Sequence, residues 1–223
     1  GTLAVAAGLE APVPEPDAPQ WLTMTDMMGA MSPGGAAMTG MDGSGHAAGM
    51  TADKVRVRHA ASEFGAAVDM RVDHPRTNLD DPGVGLRDNG RRVLAYADLS
   101  TPGGALDARE PEREIELHLT GNMARYTWSI DGLEFGRSAP VHFRAGERLR
   151  VILHNDTVMT HPMHLHGIWQ ELENPNGRFQ VRKHTISVQP AQRVSFLVSA
   201  DALGRWAWHC HLLYHMEAGM FRE

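Results

Sequence analysis

The stretch "REIELHLTGNMARYTWSIDG", residues 113–132, decides the fold class. In its first half Ile115, Leu117 and Leu119 alternate with polar residues, the period of two that marks a half-buried strand. Its second half is another short run, "RYTWSIDG", which closes on Asp131-Gly132, a pair suited to a tight turn. Toward the C-terminus the same texture continues through "VHFRAGERLRVILHND" (141–156), "HPMHLHGIWQELE" (161–173), "FQVRKHTISVQP" (179–190), "QRVSFLVSA" (192–200) and "GRWAWHCH" (204–211). Gly, Pro, Asn and Asp bound these segments and no long helical stripe interrupts them. That pattern predicts an all-β sandwich or barrel. "SADALG" (199–204) reads as a turn and "LLYHMEAG" (212–219) as a short helix.

Toward the N-terminus the regularity fades. Residues 52–111 read as a long irregular connector with short strands at "KVRVRH" (54–59) and "RVLAYADL" (92–99), broken by Asp81-Pro82-Gly83 and Asn89-Gly90. Residues 21–51 form a Met/Gly-rich segment, expected to be flexible because its methionines follow neither a helical nor a strand period. "EAPVPEPDAP" (10–19) reads as an extended linker. The chain has 223 residues, of which 42% are hydrophobic, enough to bury a core. A net charge of −6 with no basic run argues against a nucleic-acid partner. No apolar run approaches the roughly 20 residues of a membrane span. One cysteine excludes an internal disulfide.

That cysteine lies in "HCHLLYHMEAGM" (209–220), and a second histidine-rich motif, "HPMHLHG", occupies 161–167. Successive side chains of a strand point to opposite faces, so His209 and His211 project one way and Cys210 the other. His164 and His166 share a face by the same rule, while His161, where the chain enters the strand before Pro162, can aim elsewhere. One thiolate, two imidazoles and a weak axial thioether form the blue-copper donor set for electron transfer. Cys210, His215 and Met220 supply three of these, and His161 is the natural candidate for the missing imidazole. His164, His166, His209 and His211 remain as an all-imidazole set suited to clustered copper that handles dioxygen. A structural zinc site of the two-cysteine kind needs a second cysteine. Zinc hydrolysis on three histidines leaves Cys210 and Met220 without a task, and a plain electron-transfer module leaves the four histidines without one. His59, His74, His118, His142, His154 and His184 read as surface or hydrogen-bonded structural residues.

The two motifs resemble the C-terminal copper signatures of the multicopper oxidases. "DMRVDHPRTNLDDPGVGLRDNGRRVLAYADL" (69–99), "EREIELHLTGNMARYTWSIDG" (112–132) and "ELENPNGRFQVRKHT" (171–185) resemble the bacterial copper-resistance protein A group of that family. The resemblance implies a cupredoxin-like Greek-key β-sandwich over 112–223, with residues 1–20 as the end of a preceding cupredoxin domain and its linker. It also implies a type 1 copper on His161, Cys210, His215 and Met220, a type 2 ligand in His164, and type 3 ligands in His166, His209 and His211. In such an oxidase a reductant, here Cu(I), delivers electrons that pass through Cys210, His209 and His211 to a trinuclear copper cluster reducing dioxygen to water. The family builds that cluster from eight histidines. The remaining ligands come from HxH motifs in N-terminal cupredoxin domains, so this chain is expected to be the C-terminal part of a longer parent, working in the periplasm in copper resistance. Met24, Met27, Met28, Met31, Met38, Met41 and Met50, with His46, are expected to offer soft donors to Cu(I). Alternative functions are a copper sink or carrier without turnover, and a laccase-like phenol oxidase.

Overall fold

The structure, a computed structural model, describes residues 3–29 and 57–223. Its elements run α1 (Met24–Met28), β1 (Arg113–Asn122), β2 (Thr127–Ile130), β3 (Arg148–Asn155), β4 (His161–Leu165), β5 (Gln170–Glu173), β6 (Phe179–Lys183), β7 (Thr185–Val188), β8 (Arg193–Ser199), β9 (Trp208–Cys210), α2 (Leu213–Glu217) and β10 (Phe221–Arg222). The strands form a six-stranded sheet in the order β2-β1-β3-β8-β5-β6 and a four-stranded sheet in the order β10-β9-β4-β7. β1 and β3 run parallel, while β3, β8, β5 and β6 pair antiparallel in turn. The result is the all-β, cupredoxin-like Greek-key sandwich expected from the sequence.

The sandwich forms because alternating residues of both sheets are apolar. Leu117 and Leu119 of β1, Leu149, Val151 and Leu153 of β3, and Val194, Phe196 and Val198 of β8 are buried. They meet Met163, Leu165, Ile186, Val188 and Trp208 from the second sheet in one core cluster. Each such side chain contributes roughly 1.5–3 kcal/mol by leaving water. The Asp131-Gly132 turn is a tight one: both residues have positive φ, 54° and 72°, and Leu133 donates back to the Ile130 carbonyl at 3.0 Å. Two apparently continuous segments change sheets. The chain leaves β4 for β5 around Gly167 (φ 72°), where an added Cβ would sit 2.5 Å from the Trp206 ring, and it leaves β6 for β7 at His184.

The connector packs along the sandwich without forming the strands expected of it. Residues 54–56 of "KVRVRH" lie outside the described residues, and Val57–His59 carries no strand. A 3-10 turn follows at Ala61–Phe64. In "RVLAYADL" a 3-10 turn, Tyr96–Asp98, replaces the strand. Side-chain bonding overrides β propensity there. The Asp98 carboxylate accepts the Ala95 amide at 2.9 Å, and the Tyr96 hydroxyl accepts the Ser187 amide at 2.6 Å.

Within the methionine-rich segment, α1 is held by a capping box in which Thr23 Oγ1 accepts the Asp26 amide and Asp26 accepts the Thr23 amide. Buried Asp26 then pairs with Arg87 at 2.6 Å, which docks α1 on the connector. Met24, Met27 and Met28 lie on this helix. Met31, Met38, Met41, Met50 and His46 lie outside the described residues. Among the described residues no helix is long and apolar enough to cross a membrane.

Candidate metal centre

β4 and β9 are adjacent antiparallel strands with Met163 opposite Cys210 and His164 opposite His209. Parity does the rest. On β4, His161, Met163 and Leu165 face inward and are buried. On β9, Trp208 and Cys210 are buried with them. After Cys210 the chain turns into α2, which brings His215 back over the strand end. The Met220 amide donates to the His215 carbonyl at 3.0 Å, and the Cys210 amide donates to the Met220 carbonyl at 3.2 Å. Three donors converge. Cys210 Sγ lies 3.7 Å from His161 Nδ1 and 3.8 Å from His215 Nδ1, and the two imidazole nitrogens are 3.1 Å apart. A trigonal ion at about 2.0 Å from nitrogen and about 2.3 Å from sulfur would hold its donors roughly 3.5–3.7 Å apart. The set therefore closes on one ion with shifts of a few tenths of an ångström. Met220 is fully buried beside them.

The two imidazoles are held differently, His161 by a hydrogen bond on its far nitrogen and His215 by ring stacking. Thr157 donates its hydroxyl hydrogen to Asn155 Oδ1 at 2.8 Å, so its oxygen accepts from His161 Nε2 at 2.7 Å. That leaves Nδ1 unprotonated and aimed at the sulfur. Trp128, fully buried, stacks on His215 with ring centroids 3.9 Å apart and meets His161 edge-on at 5.1 Å. Burial pushes the Cys210 thiol up to about 11, against a Leu212 amide that pulls it down. Burial also lowers both His161 and His215. The two imidazoles are thus neutral and ready to ligate at neutral pH, and metal binding must release the thiol proton.

The opposite face of the same strands carries His164, His166, His209 and His211. The His166 and His209 Nε2 atoms are 3.0 Å apart. His164 sits 4.5 Å from His166 and 5.7 Å from both His209 and His211, measured between ring centroids. His164 donates Nδ1–H to the His184 carbonyl at 2.8 Å, and His209 donates Nδ1–H to the Cys210 carbonyl at 3.0 Å, so each presents an unprotonated Nε2 toward the rim, that of His209 accepting from His166 Nε2. His166 and His211 are exposed and His209 is buried. The four imidazoles form a half-open rim, with donors converging from one side.

Sequence reasoning missed Thr157, Asn155 and Trp128. Thr157 sits in a loop with no motif of its own. Trp128 reads simply as a core aromatic. His184, expected to be structural, serves the site through its carbonyl. The sequence carried a usable signal only for Trp128, whose indole falls on the inward face of β2.

A family model for multicopper oxidases matches residues 108–223. The chain is 49% identical to copper resistance protein A of Escherichia coli over 258 aligned positions, covering 100% of this chain and 43% of that protein. It is 47% identical to copper resistance protein A of Pseudomonas syringae pv. tomato, again over 100% of this chain and 43% of the relative. The chain thus spans less than half the length of these relatives. Among solved structures, Fet3p, described as a multicopper oxidase that functions in iron import, superposes with a TM-score of 0.52 at 18% identity, covering 67% of this chain and 36% of that one. That likeness bears on the fold alone.

Proposed function

Starting from the fact that this chain belongs to the multicopper oxidase family, we propose that it supplies the electron-entry site and half of the cluster ligands of a copper-dependent oxidase acting on Cu(I) in copper resistance. The observation that carries this reading is the opposition of two donor sets across one strand. Cys210 meets His161 and His215 inside the sandwich, while its two sequence neighbours, His209 and His211, belong to the imidazole rim outside.

When bound, copper supplies one-electron exchange at the thiolate and reduction of dioxygen at the imidazole cluster. The residues supply everything else. His161, Cys210, His215 and Met220 form the type 1 set in a buried pocket that excludes water. Thr157 and Trp128 hold the two imidazoles so that little rearranges on electron transfer. Cys210 is covalently continuous with His209 and His211, which gives electrons a bonded route from the pocket to the rim. On the rim His164 takes the type 2 role, and His166, His209 and His211 the type 3 role. The rim has donors from this chain on one side only, so we assign the missing imidazoles to N-terminal cupredoxin domains of the same parent. The relatives' greater length supports that assignment. The methionine-rich segment collects the cuprous substrate through soft thioether donors. Following the resemblance, we place the parent in the periplasm.

The test is copper loading and oxygen uptake. Copper-loaded chain should show an intense visible thiolate-to-copper band that Cys210→Ser abolishes. Oxygen uptake driven by Cu(I) should appear only once the N-terminal domains are supplied. A band that survives in Cys210→Ser sinks the electron-entry assignment. Copper binding by the complete parent without oxygen consumption favours a copper sink.

A further inference from the structure

A second cluster of donors, sharing no residue with the Cys210 pocket, lies where the connector meets the sandwich. We propose that His59, Glu63, His118 and Asp156 form a binding site for a borderline divalent cation, of the zinc or cupric kind, that staples the connector to β1 and β3.

The four come from three pieces of chain. His59 precedes the 3-10 turn at Ala61–Phe64 and Glu63 lies on it. His118 is on β1, and Asp156 follows β3. Their donor atoms converge. His59 Nδ1 is 2.8 Å from Glu63 Oε2 and 3.7 Å from Asp156 Oδ2. His118 Nδ1 is 3.3 Å from Glu63 Oε2 and 2.6 Å from Asp156 Oδ2. All four atoms lie within 4.8 Å of one another. A tetrahedral ion with bonds of about 2.0–2.1 Å sets its ligand atoms roughly 3.3 Å apart, the middle of the observed range.

The cluster is built rather than merely crowded. Glu63 gives its other oxygen to the Ala60 amide at 2.9 Å, and Asp156 gives its other oxygen to the Val72 amide at 2.8 Å. Each carboxylate is thereby aimed, with one oxygen left for the centre. His118 Nε2 lies 3.3 Å from Glu116, the outer carboxylate that commonly orients a ligating imidazole. Glu63, His118 and Asp156 are 1%, 3% and 0% exposed. Buried His154 stacks on His118 at 4.7 Å between centroids. Neither of its ring nitrogens makes a hydrogen bond, although Nε2 is 3.2 Å from Glu116.

Two buried carboxylates facing two imidazoles need two positive charges. A divalent cation supplies both and leaves the imidazoles neutral. The charged and titratable groups packed around the four include Asp73 on the connector, Glu116 and His154 on β1 and β3, Asp131, which accepts the His118 amide at 2.8 Å, and one cation, Arg71, whose guanidinium donates to the Glu63 backbone carbonyl at 3.0 Å. Asp73, Glu116 and Asp131 add to the case for a cation. The donor set is two imidazole nitrogens and two carboxylate oxygens, with no sulfur. It therefore favours Zn²⁺ or Cu²⁺ and disfavours Cu⁺, the reverse of the methionine-rich segment. The site stands independently of the proposed oxidase function.

The test is Zn²⁺ binding to the full chain whose Cys210 pocket has first been filled with copper. Wild type should hold one Zn²⁺ that survives dialysis, with a rise in unfolding temperature and protection of the 57–64 region from proteolysis. Glu63→Gln and His59→Ala should each weaken that Zn²⁺ by tenfold or more while leaving the copper-thiolate band unchanged. Should either variant misfold, X-ray absorption of the zinc in wild type decides the matter. Two nitrogen and two oxygen neighbours support the site, while sulfur or an all-imidazole shell overturns it. Equal zinc stoichiometry and equal thermal shift in wild type and both variants also overturn it, and would identify the cluster as an ion-pair network only.

Discussion

Trp128 is the side chain on which the inner pocket rests, and replacing it should separate packing from ligation. The indole is fully buried and stacks on His215. Its ring also lies close to Gly121, where an added Cβ would come within 2.6 Å of Cε3. Trp128→Ala should cost about 3–5 kcal/mol through lost transfer energy and a cavity that β-strands on both sides cannot collapse. Part of that, about 0.5–1.5 kcal/mol, belongs to the aromatic stacking itself. Trp128→Phe keeps a ring against His215, and the indole nitrogen it removes has no hydrogen-bond partner in the core. Its cost should therefore be smaller, about 1–2 kcal/mol. Urea unfolding of metal-free protein measures both, and copper titration followed by the visible band reads the pocket. The expected order is wild type, then Trp128→Phe, then Trp128→Ala, in stability and in copper affinity alike. The reasoning fails if Trp128→Ala loses under about 1 kcal/mol, or if it loses stability with copper affinity unchanged.

Three further outcomes follow from the same geometry. Thr157→Val removes the acceptor that holds the His161 tautomer and should weaken copper by about 10–100-fold with little loss of fold, as competition with a chelator would reveal. Met220→Leu should keep the visible band and raise the potential measured by redox titration, because a donor that stabilises the oxidised ion is gone; a lowered potential removes Met220 from the axial role. Asp26 is held well below its ordinary value chiefly by hydrogen bonds from Arg87, against the opposing effect of burial. Its contribution is therefore fully present above the unfolded value near 3.8 and is lost as pH falls through the folded one. Hydrogen exchange at the Met27 and Gly29 amides should accelerate as pH falls below about 4, after correction for intrinsic rates, and Arg87→Met should shrink that dependence to the part left by the Thr23 hydrogen bonds.

The β class, the short C-terminal helix and the opposite aim of Cys210 against His209 and His211 were legible in the sequence, because strand parity is a local property that needs no knowledge of neighbours. His161 was set apart from His164 and His166 only by its place at the strand entry before Pro162, and the structure shows that strand parity separates them, since β4 already begins at His161. Element boundaries in two places were not legible. "HPMHLHGIWQELE" and "FQVRKHTISVQP" read as single runs, yet each divides between the two sheets, at Gly167 and at His184. Nothing in alternation distinguishes a strand that stays in one sheet from one that crosses to the other. The strand expected at 92–99 yielded to Asp98 and Tyr96, whose bonds are partly to a residue far along the chain. Thr157 and Trp128 became part of the inner pocket, and His59, Glu63, His118 and Asp156 became one cluster, only through pairing of β1 with β3 and docking of the connector. A residue's chemistry is set by its own atoms and its strand face by its neighbours in sequence, but which groups share a solvent-free space depends on contacts that the chain makes only once both sheets have closed.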